Sequence, residues 1–240
     1  MNDAQTLSVR DLKIIGLLFV VASLSIITMF FYSITMLIYI GILLRGGVAG
    51  ELPALTESMY YELVYSIART IATNAVLIAP LIFPVALILI KLKDKKIRLI
   101  FLASVLLIVV NVIINMYLSF MLSENSEYIV YEFRHRPVHV KYISAMMLRV
   151  PTYWIPFLTP ELRLLNLSAG ISLLLSITIL ALGLRGIGKT FEGLSGLQNI
   201  VYPFGATILM IILSVFYESF MLLAMLSLFI TIVIIGYIFA

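Results

Sequence analysis

Long uninterrupted apolar runs dominate the pattern of hydrophobic and polar positions. The first extends from Ile14 to Leu44, 31 residues without a charge. As a helix it would be about 46 Å long, which exceeds a hydrocarbon core of about 30 Å but is too short to cross it twice. We expect one long helix over 14–44, tilted or projecting beyond the lipid, that ends at the glycines and proline of residues 46–53.

The next apolar run predicts a second helix over 57–90, which ends at a cluster of lysines. Its first third carries Glu57, Glu62 and Arg69, whereas the residues from Ala75 onward are apolar apart from two prolines. This gradient indicates that the helix enters the membrane near Arg69. The first two helices would then form a hairpin that projects about 15 Å beyond the lipid, from the rise per residue.

Four further spans follow from the same pattern. The polar residues 123–163, with four prolines, predict an extracytoplasmic loop between the third and fourth spans. The tail from Leu197 to Ala240 is longer than one span, so we divide it at Glu218, although no glycine or proline marks a turn there. The six predicted spans are 14–44, 57–90, 99–122, 164–184, 197–216 and 220–239.

Composition supports this fold class, an all-α polytopic transmembrane bundle that forms one membrane domain over residues 1–240. Apolar residues make up 62% of the chain and charged residues 12%, and the mean hydropathy is +1.15. Soluble domains have about 45–50% apolar and about 25% charged residues. The chain has no cysteine, which excludes disulfides, iron–sulfur clusters and thiolate metal sites. The first 13 residues lack the features of a secretory signal, so we expect the first run to be a true span.

The positive residues of the short loops predict the orientation, because lysine and arginine are enriched in cytoplasmic loops. The short loops on the other side hold only Arg45, with Arg69 at a helix entry. We therefore expect a multi-pass protein of the cell membrane with cytoplasmic N- and C-termini and with 123–163 outside. The nine residues on the cytoplasmic side are Arg10, Lys13, Lys91, Lys93, Lys95, Lys96, Arg98, Arg185 and Lys189.

One candidate polar stripe lies on the second predicted helix. Glu62, Ser66, Arg69 and Thr73 recur at helical spacing and share a face. Charges within spans usually mark a substrate or ion path, so the stripe could form one wall of such a path. Alternatively, it is a water-facing stripe on the projecting part of the helix, since membrane entry at Arg69 already explains both charges.

A second stripe, Asn111, Asn115 and Ser119, lies in the third span at four-residue spacing. Amides in hydrocarbon need hydrogen-bonding partners, so these side chains must face protein or water. They either line a pore or hold helices together. Together with the first stripe they complete our candidate polar path. A stripe of Ser168, Ser172 and Ser176 in the fourth span predicts close helix approach.

Other patterns point to no catalytic, cofactor-binding or metal-binding residue. His135 and His139 are four residues apart, but Pro137 disfavours a helix between them and neighbouring arginines repel a cation. Residues 183–190 match the phosphate-binding pattern G-x-x-x-x-G-K-[ST], but a membrane helix precedes them in place of a buried strand, so we regard the match as chance. The aromatic, proline-rich residues 150–158 predict either an interfacial anchor or a lid.

We therefore expect a non-enzymatic transport or translocation subunit, channel-like, that works with partner proteins. Its partners would be membrane lipids and other membrane subunits, with nucleic acid only as possible cargo. In this hypothesis the hairpin and residues 123–163 form an external vestibule. The alternative is a structural or accessory subunit of a larger membrane complex. A lipid-modifying enzyme ranks last, because no His, Asp or Cys constellation of the kind that such chemistry requires is evident.

Overall fold

The chain folds as an all-α protein. A computed structural model describes residues 8–45, 56–135, 140–148, 150–151 and 155–240, and within them the regular structure is helical throughout. Two short 3-10 segments, Ala79–Leu81 and Glu192–Ile200, join α-helices. The α-helices are α1 (Val9–Arg45), α2 (Glu57–Ile78), α3 (Ile82–Lys91), α4 (Lys95–Glu124), α5 (Ser126–His135), α6 (Val140–Met147), α7 (Pro160–Thr190), α8 (Val201–Leu213) and α9 (Ser219–Phe239).

Six of the helical segments in the described part of the chain are long and apolar enough to cross a membrane, which confirms the number predicted from the sequence. A turn at residues 214–218 separates the last two, where the apolar tail was divided at Glu218. The chain is therefore a multi-pass membrane protein. The six segments are Val9–Ile42, Glu57–Lys91, Lys95–Glu124, Pro160–Thr190, Gly193–Leu213 and Ser219–Phe239.

These six segments contact one another in chain order and close into a ring, which we call the helical ring. Each packs against the next, and α9 returns to pack against α1. The centre is filled by apolar side chains, among them Ile78, Leu173, Ile177 and Leu228. Two cavities remain there, each about 10 Å³, too small for more than about one water molecule. Neither of these two cavities is wide enough to form a polar path through the ring.

The ring closes where α1 meets α9 through two glycines. A Cβ atom added to Gly16 would lie 2.8 Å from the carbonyl oxygen of Gly236. A Cβ atom added to Gly236 would in turn lie 3.1 Å from the carbonyl oxygen of Gly16. Phe19 and Phe239 stack beside this contact with ring centroids 5.8 Å apart. Small residues allow membrane helices to approach this closely, and dispersion contacts between the backbones then hold them together.

The second span is one helical segment over Glu57–Lys91, as predicted, but its α-helical hydrogen bonding is interrupted. The 3-10 turn Ala79–Leu81 separates α2 from α3 and contains Pro80. Proline has no backbone N–H and its ring displaces the carbonyl one turn earlier, so the α-helical ladder is interrupted there. Pro84 lies in the first turn of α3, where the missing N–H costs little.

Residues 123–163, the predicted loop segment between the third and fourth spans, contain two short helices. These are α5 and α6, which pack with residues 155–158 over the adjoining ends of α1, α2 and α4, and we call this unit the cap. Ile129, Val130 and Phe133 form one apolar face of α5 and are buried. The cap and the helix ends share a second apolar core. Ile155, Phe157 and Leu158 lie in that core, whereas 152–154 fall outside the described residues.

Two ion pairs mark opposite ends of the helical ring. Asp11 near the start of α1 pairs with Lys91 at the end of α3, with an O–N distance of 3.0 Å. Arg134 of the cap pairs with Glu57 at the start of α2 at 2.7 Å. The chain therefore runs up α1 and returns down α2 and α3 in the antiparallel sense. Both pairs are solvent-accessible, so each contributes only about 0–1 kcal/mol.

Candidate functional site

The first candidate stripe lies on the exposed side of α2. Glu62, Ser66 and Arg69 line one open polar pocket, whose six lining residues we call the α2 polar face. Thr73 is half-buried one turn farther along and lies outside this pocket. The opposite side of α2, which includes Ile67 and Ile71, is buried against the core. The lining residues are Ser58, Tyr61, Glu62, Tyr65, Ser66 and Arg69.

The two charges of the α2 polar face have different surroundings. Glu62 accepts a hydrogen bond from the Tyr39 hydroxyl of α1, which holds the carboxylate against the neighbouring helix. Arg69 is exposed, and no acidic side chain among the described residues pairs with it. The two residues are about 10 Å apart along the helix axis, from seven residues of rise. Tyr39 escaped the sequence analysis because it lies inside an apolar run.

The second candidate stripe lies elsewhere, and its asparagines are buried between α4 and α7. The Asn111 amide nitrogen donates to the carbonyl oxygen of Ala169 at 2.7 Å and to the Ser172 hydroxyl at 2.9 Å. Asn115 donates to the backbone carbonyl of Asn111 at 2.7 Å and to its side-chain oxygen at 3.2 Å. Both side chains are almost fully inaccessible. The Asn111 amide thus joins two helices and faces no solvent.

Ser119 lies on the same helix, α4, but contacts a different neighbouring helix. Its hydroxyl donates to the carbonyl oxygen of Ala68 on α2 at 2.7 Å. The seven candidate residues therefore do not line one path. Three of them form part of an open face on α2, and Thr73 lies outside it. The three on α4 donate hydrogen bonds to one another or to adjacent helices, and the Asn115 Oδ1 is buried without a hydrogen-bond partner among the described residues.

Polar side chains that the sequence analysis missed also join helices. Asn74 of α2 donates to the Ser33 hydroxyl of α1 at 3.2 Å, and both side chains are buried. Thr207 of α8 and Ser227 of α9 are hydrogen-bonded at 2.9 Å. The signal that could have found them is an isolated polar residue in the middle of an apolar span. Such interhelical bonds contribute about 0.6 kcal/mol each on average in membranes.

Two of the three serines in the stripe on α7 face the protein interior. Ser172 and Ser176 are buried, and their hydroxyls donate to carbonyl oxygens three residues earlier in the same helix. Ser168 is exposed, so its predicted place in the stripe is wrong. Each step of four residues turns a helix by about 40° beyond a full circle, which moves the third serine off the shared face. A close approach to α7 is present at Gly170, where an added Cβ would lie 2.4 Å from the Pro151 Cβ.

The remaining sequence patterns have no site geometry in the described residues. His135 is exposed on α5 and hydrogen-bonded to the carbonyl of Tyr131, while His139 lies outside the described residues. In the described part of the chain, no three His, Cys, Asp or Glu side chains are grouped so that they could hold a metal ion. Residues 183–190 belong to the continuous helix α7, so they form no phosphate-binding loop.

No protein-family model, curated protein or solved structure matches the chain. Its own geometry therefore carries the functional argument. That geometry comprises an apolar-filled helical ring, polar seams between its helices, and one exposed face on α2 that bears a carboxylate and a guanidinium.

Proposed function

We propose that the chain is a non-enzymatic structural or accessory subunit of a larger membrane complex. The observation that carries this proposal is the hydrogen bonding of Asn111. Its amide nitrogen donates to a backbone carbonyl of α7 and to the Ser172 hydroxyl. A residue of an aqueous path would keep its polar atoms toward the lumen. Ser119 and Asn74 are used in the same way against other helices. The helical ring supports the same view, because Ser176 and Thr207 are the only polar residues among those that line its two central cavities.

A transport or translocation subunit is the second candidate, and the α2 polar face favours it. Glu62 and Arg69 are exposed together on one side of the ring. A path along this face would need a partner chain as its other wall, because the face lies on the exposed side of α2. Arg69 is the one positive residue among those that line the pocket, so the face gives little support to nucleic acid as cargo.

Thiol labelling tests whether water reaches the centre of the ring. In this cysteine-free chain, Ser176→Cys places a near-isosteric thiol beside the central cavity, and Ser58→Cys places one on the exposed first turn of α2. We expect a membrane-impermeant maleimide to label Cys at 58 and to leave Cys at 176 unlabelled until the protein is denatured in detergent. Maleimides react with thiolates, which do not form in a dry apolar site.

Labelling of the position-176 thiol in native membranes would contradict the proposal and would favour a path through the ring. A second measurement addresses the complex itself. Purification in a mild detergent from the native membrane is expected to bring down a stoichiometric partner chain. If the chain instead elutes alone after crosslinking in intact membranes, the proposal of an accessory subunit is wrong.

We also propose that the protein lies in the cell membrane with cytoplasmic termini and the cap outside. Seven of its positive residues flank the Asp11–Lys91 end of the ring, namely Arg10, Lys13 and the five from Lys91 to Arg98. Lys93→Cys and Glu127→Cys place exposed thiols at the two ends. In intact cells we expect an impermeant reagent to label only the position-127 thiol, with the position-93 thiol labelled after permeabilisation. The reverse pattern would overturn the orientation.

A further inference from the structure

The α2 polar face lies at the depth of lipid headgroups. Lys91 marks one end of the second span, and Arg69 is 22 residues before it. Along a helix this separation is about 33 Å, close to a hydrocarbon thickness of about 30 Å. When Lys91 lies at one membrane surface, Arg69 lies at the other. Its guanidinium is exposed there and has no acidic partner among the described residues.

A second charged group lies farther from the membrane centre on the same face. Glu62 precedes Arg69 by seven residues, about 10 Å nearer the cap end of α2. Two tyrosines stand beside the carboxylate, with the rings of Tyr61 and Tyr65 stacked at 6.5 Å. The side chain of Tyr65 is 47% exposed. A carboxylate beside aromatic faces is a favourable environment for an ammonium group, through charge pairing and cation–π attraction.

We propose that this face binds the headgroup of a zwitterionic phospholipid. The phosphate pairs with Arg69, which can present two N–H donors to it, and the Ser66 hydroxyl lies on the same face within the pocket. The amine pairs with Glu62 and contacts the tyrosines. In such a lipid the phosphate is attached to the glycerol and lies deeper than the amine. The order of the two side chains along α2 matches that arrangement, with the cation deeper and the anion farther out.

Charge complementarity favours this ligand over a free phosphate or an anionic lipid. The pocket contains one positive and one negative side chain, so its formal charge is balanced. A phosphate without an amine would leave Glu62 uncompensated beside a second anion. The inference goes beyond the proposed function and does not depend on it, because a headgroup can bind to a structural subunit or to a transport subunit.

Native mass spectrometry of the purified full chain tests the proposal with short-chain lipids as probes. We expect the chain to retain phosphatidylethanolamine in preference to phosphatidylglycerol. Arg69→Gln is expected to weaken binding of both lipids about tenfold, as expected for loss of one charge-assisted pair. Glu62→Gln keeps an oxygen that can accept the Tyr39 hydrogen bond, and it is expected to abolish the preference for the amine-containing lipid. Arg185→Gln, at an exposed position on α7 toward the other end, is the matched control and should change neither.

Three outcomes would overturn the proposal. Equal retention of the two lipids by the unmodified chain would show that the amine is not recognised. Full binding by Arg69→Gln would show that the guanidinium does not hold the phosphate. Displacement of the lipid by inorganic phosphate alone would assign the face to a free anion. Thermal unfolding of each variant accompanies the measurements. Unchanged midpoints are expected, because Arg69 and Glu62 are exposed.

Discussion

Gly16→Ala is expected to lower the thermal unfolding midpoint of the protein more than any other single added methyl group on α1. The new Cβ would lie 2.8 Å from the carbonyl oxygen of Gly236, 3.1 Å from the Ala240 nitrogen and 3.3 Å from the Phe239 carbonyl carbon. All three are backbone atoms, so no side chain can rotate away to make room. The two helices must separate, and we expect a cost of about 1–3 kcal/mol.

The same helix offers a matched control. Gly41 also lies within α1, and a Cβ added there would meet no atom within 4 Å. Gly41→Ala is expected to leave stability unchanged or to raise it by up to about 1 kcal/mol, since alanine favours helix. Circular dichroism melts of both variants in one detergent give the comparison. Equal midpoints for Gly16→Ala and Gly41→Ala would mean that α1 and α9 are not in backbone contact.

Asn111→Asp is expected to be the most destabilising isosteric change in the spans. It exchanges the amide donor for an oxygen that faces two acceptors, the Ala169 carbonyl and the Ser172 hydroxyl oxygen. The site is 1% exposed, so water cannot solvate a carboxylate there. We expect a loss of roughly 3 kcal/mol or more at neutral pH, because a buried charge is left unpaired.

Two further variants separate the effect of the added charge from the loss of the hydrogen bonds. Asn111→Leu removes the hydrogen bonds without adding a charge and is expected to cost about 1 kcal/mol. Asn199→Asp makes the same chemical change at an exposed position and should be nearly neutral. If Asn111 faced an aqueous path, aspartate would be tolerated at least as well as leucine. A higher unfolding midpoint for Asn111→Asp than for Asn111→Leu would therefore contradict the burial of Asn111 between α4 and α7.

The number and extent of the apolar helices could be predicted because lipid imposes a simple rule. Backbone groups in hydrocarbon must be satisfied within the segment, so long apolar runs form helices whatever their neighbours are. The division at Glu218 follows from length alone, and a turn is present there. The interruption at Pro80 was also readable in principle, because proline removes a hydrogen bond wherever it occurs in a helix interior.

The interior of the candidate site was harder to predict, since it depends on contacts between distant residues. Asn111 bonds to a carbonyl 58 residues later in the chain, and nothing local to Asn111 identifies that partner. The cap was missed for a different reason. Its average polarity suggests a loop, whereas the spacing of Ile129, Val130 and Phe133 already gives one apolar side to a short helix. Periodicity over ten residues was the informative signal there, and average composition concealed it.

The contact between α1 and α9 also constrains how the protein is made. The ribosome synthesises α1 before α9. About two hundred residues are therefore made before the surface that bears Gly16 can contact its partner on α9. During that interval lipids or an insertion factor must occupy the surface and later leave it. Nascent chains arrested before Ser219 should therefore keep α1 accessible to photo-crosslinkers that the finished protein excludes.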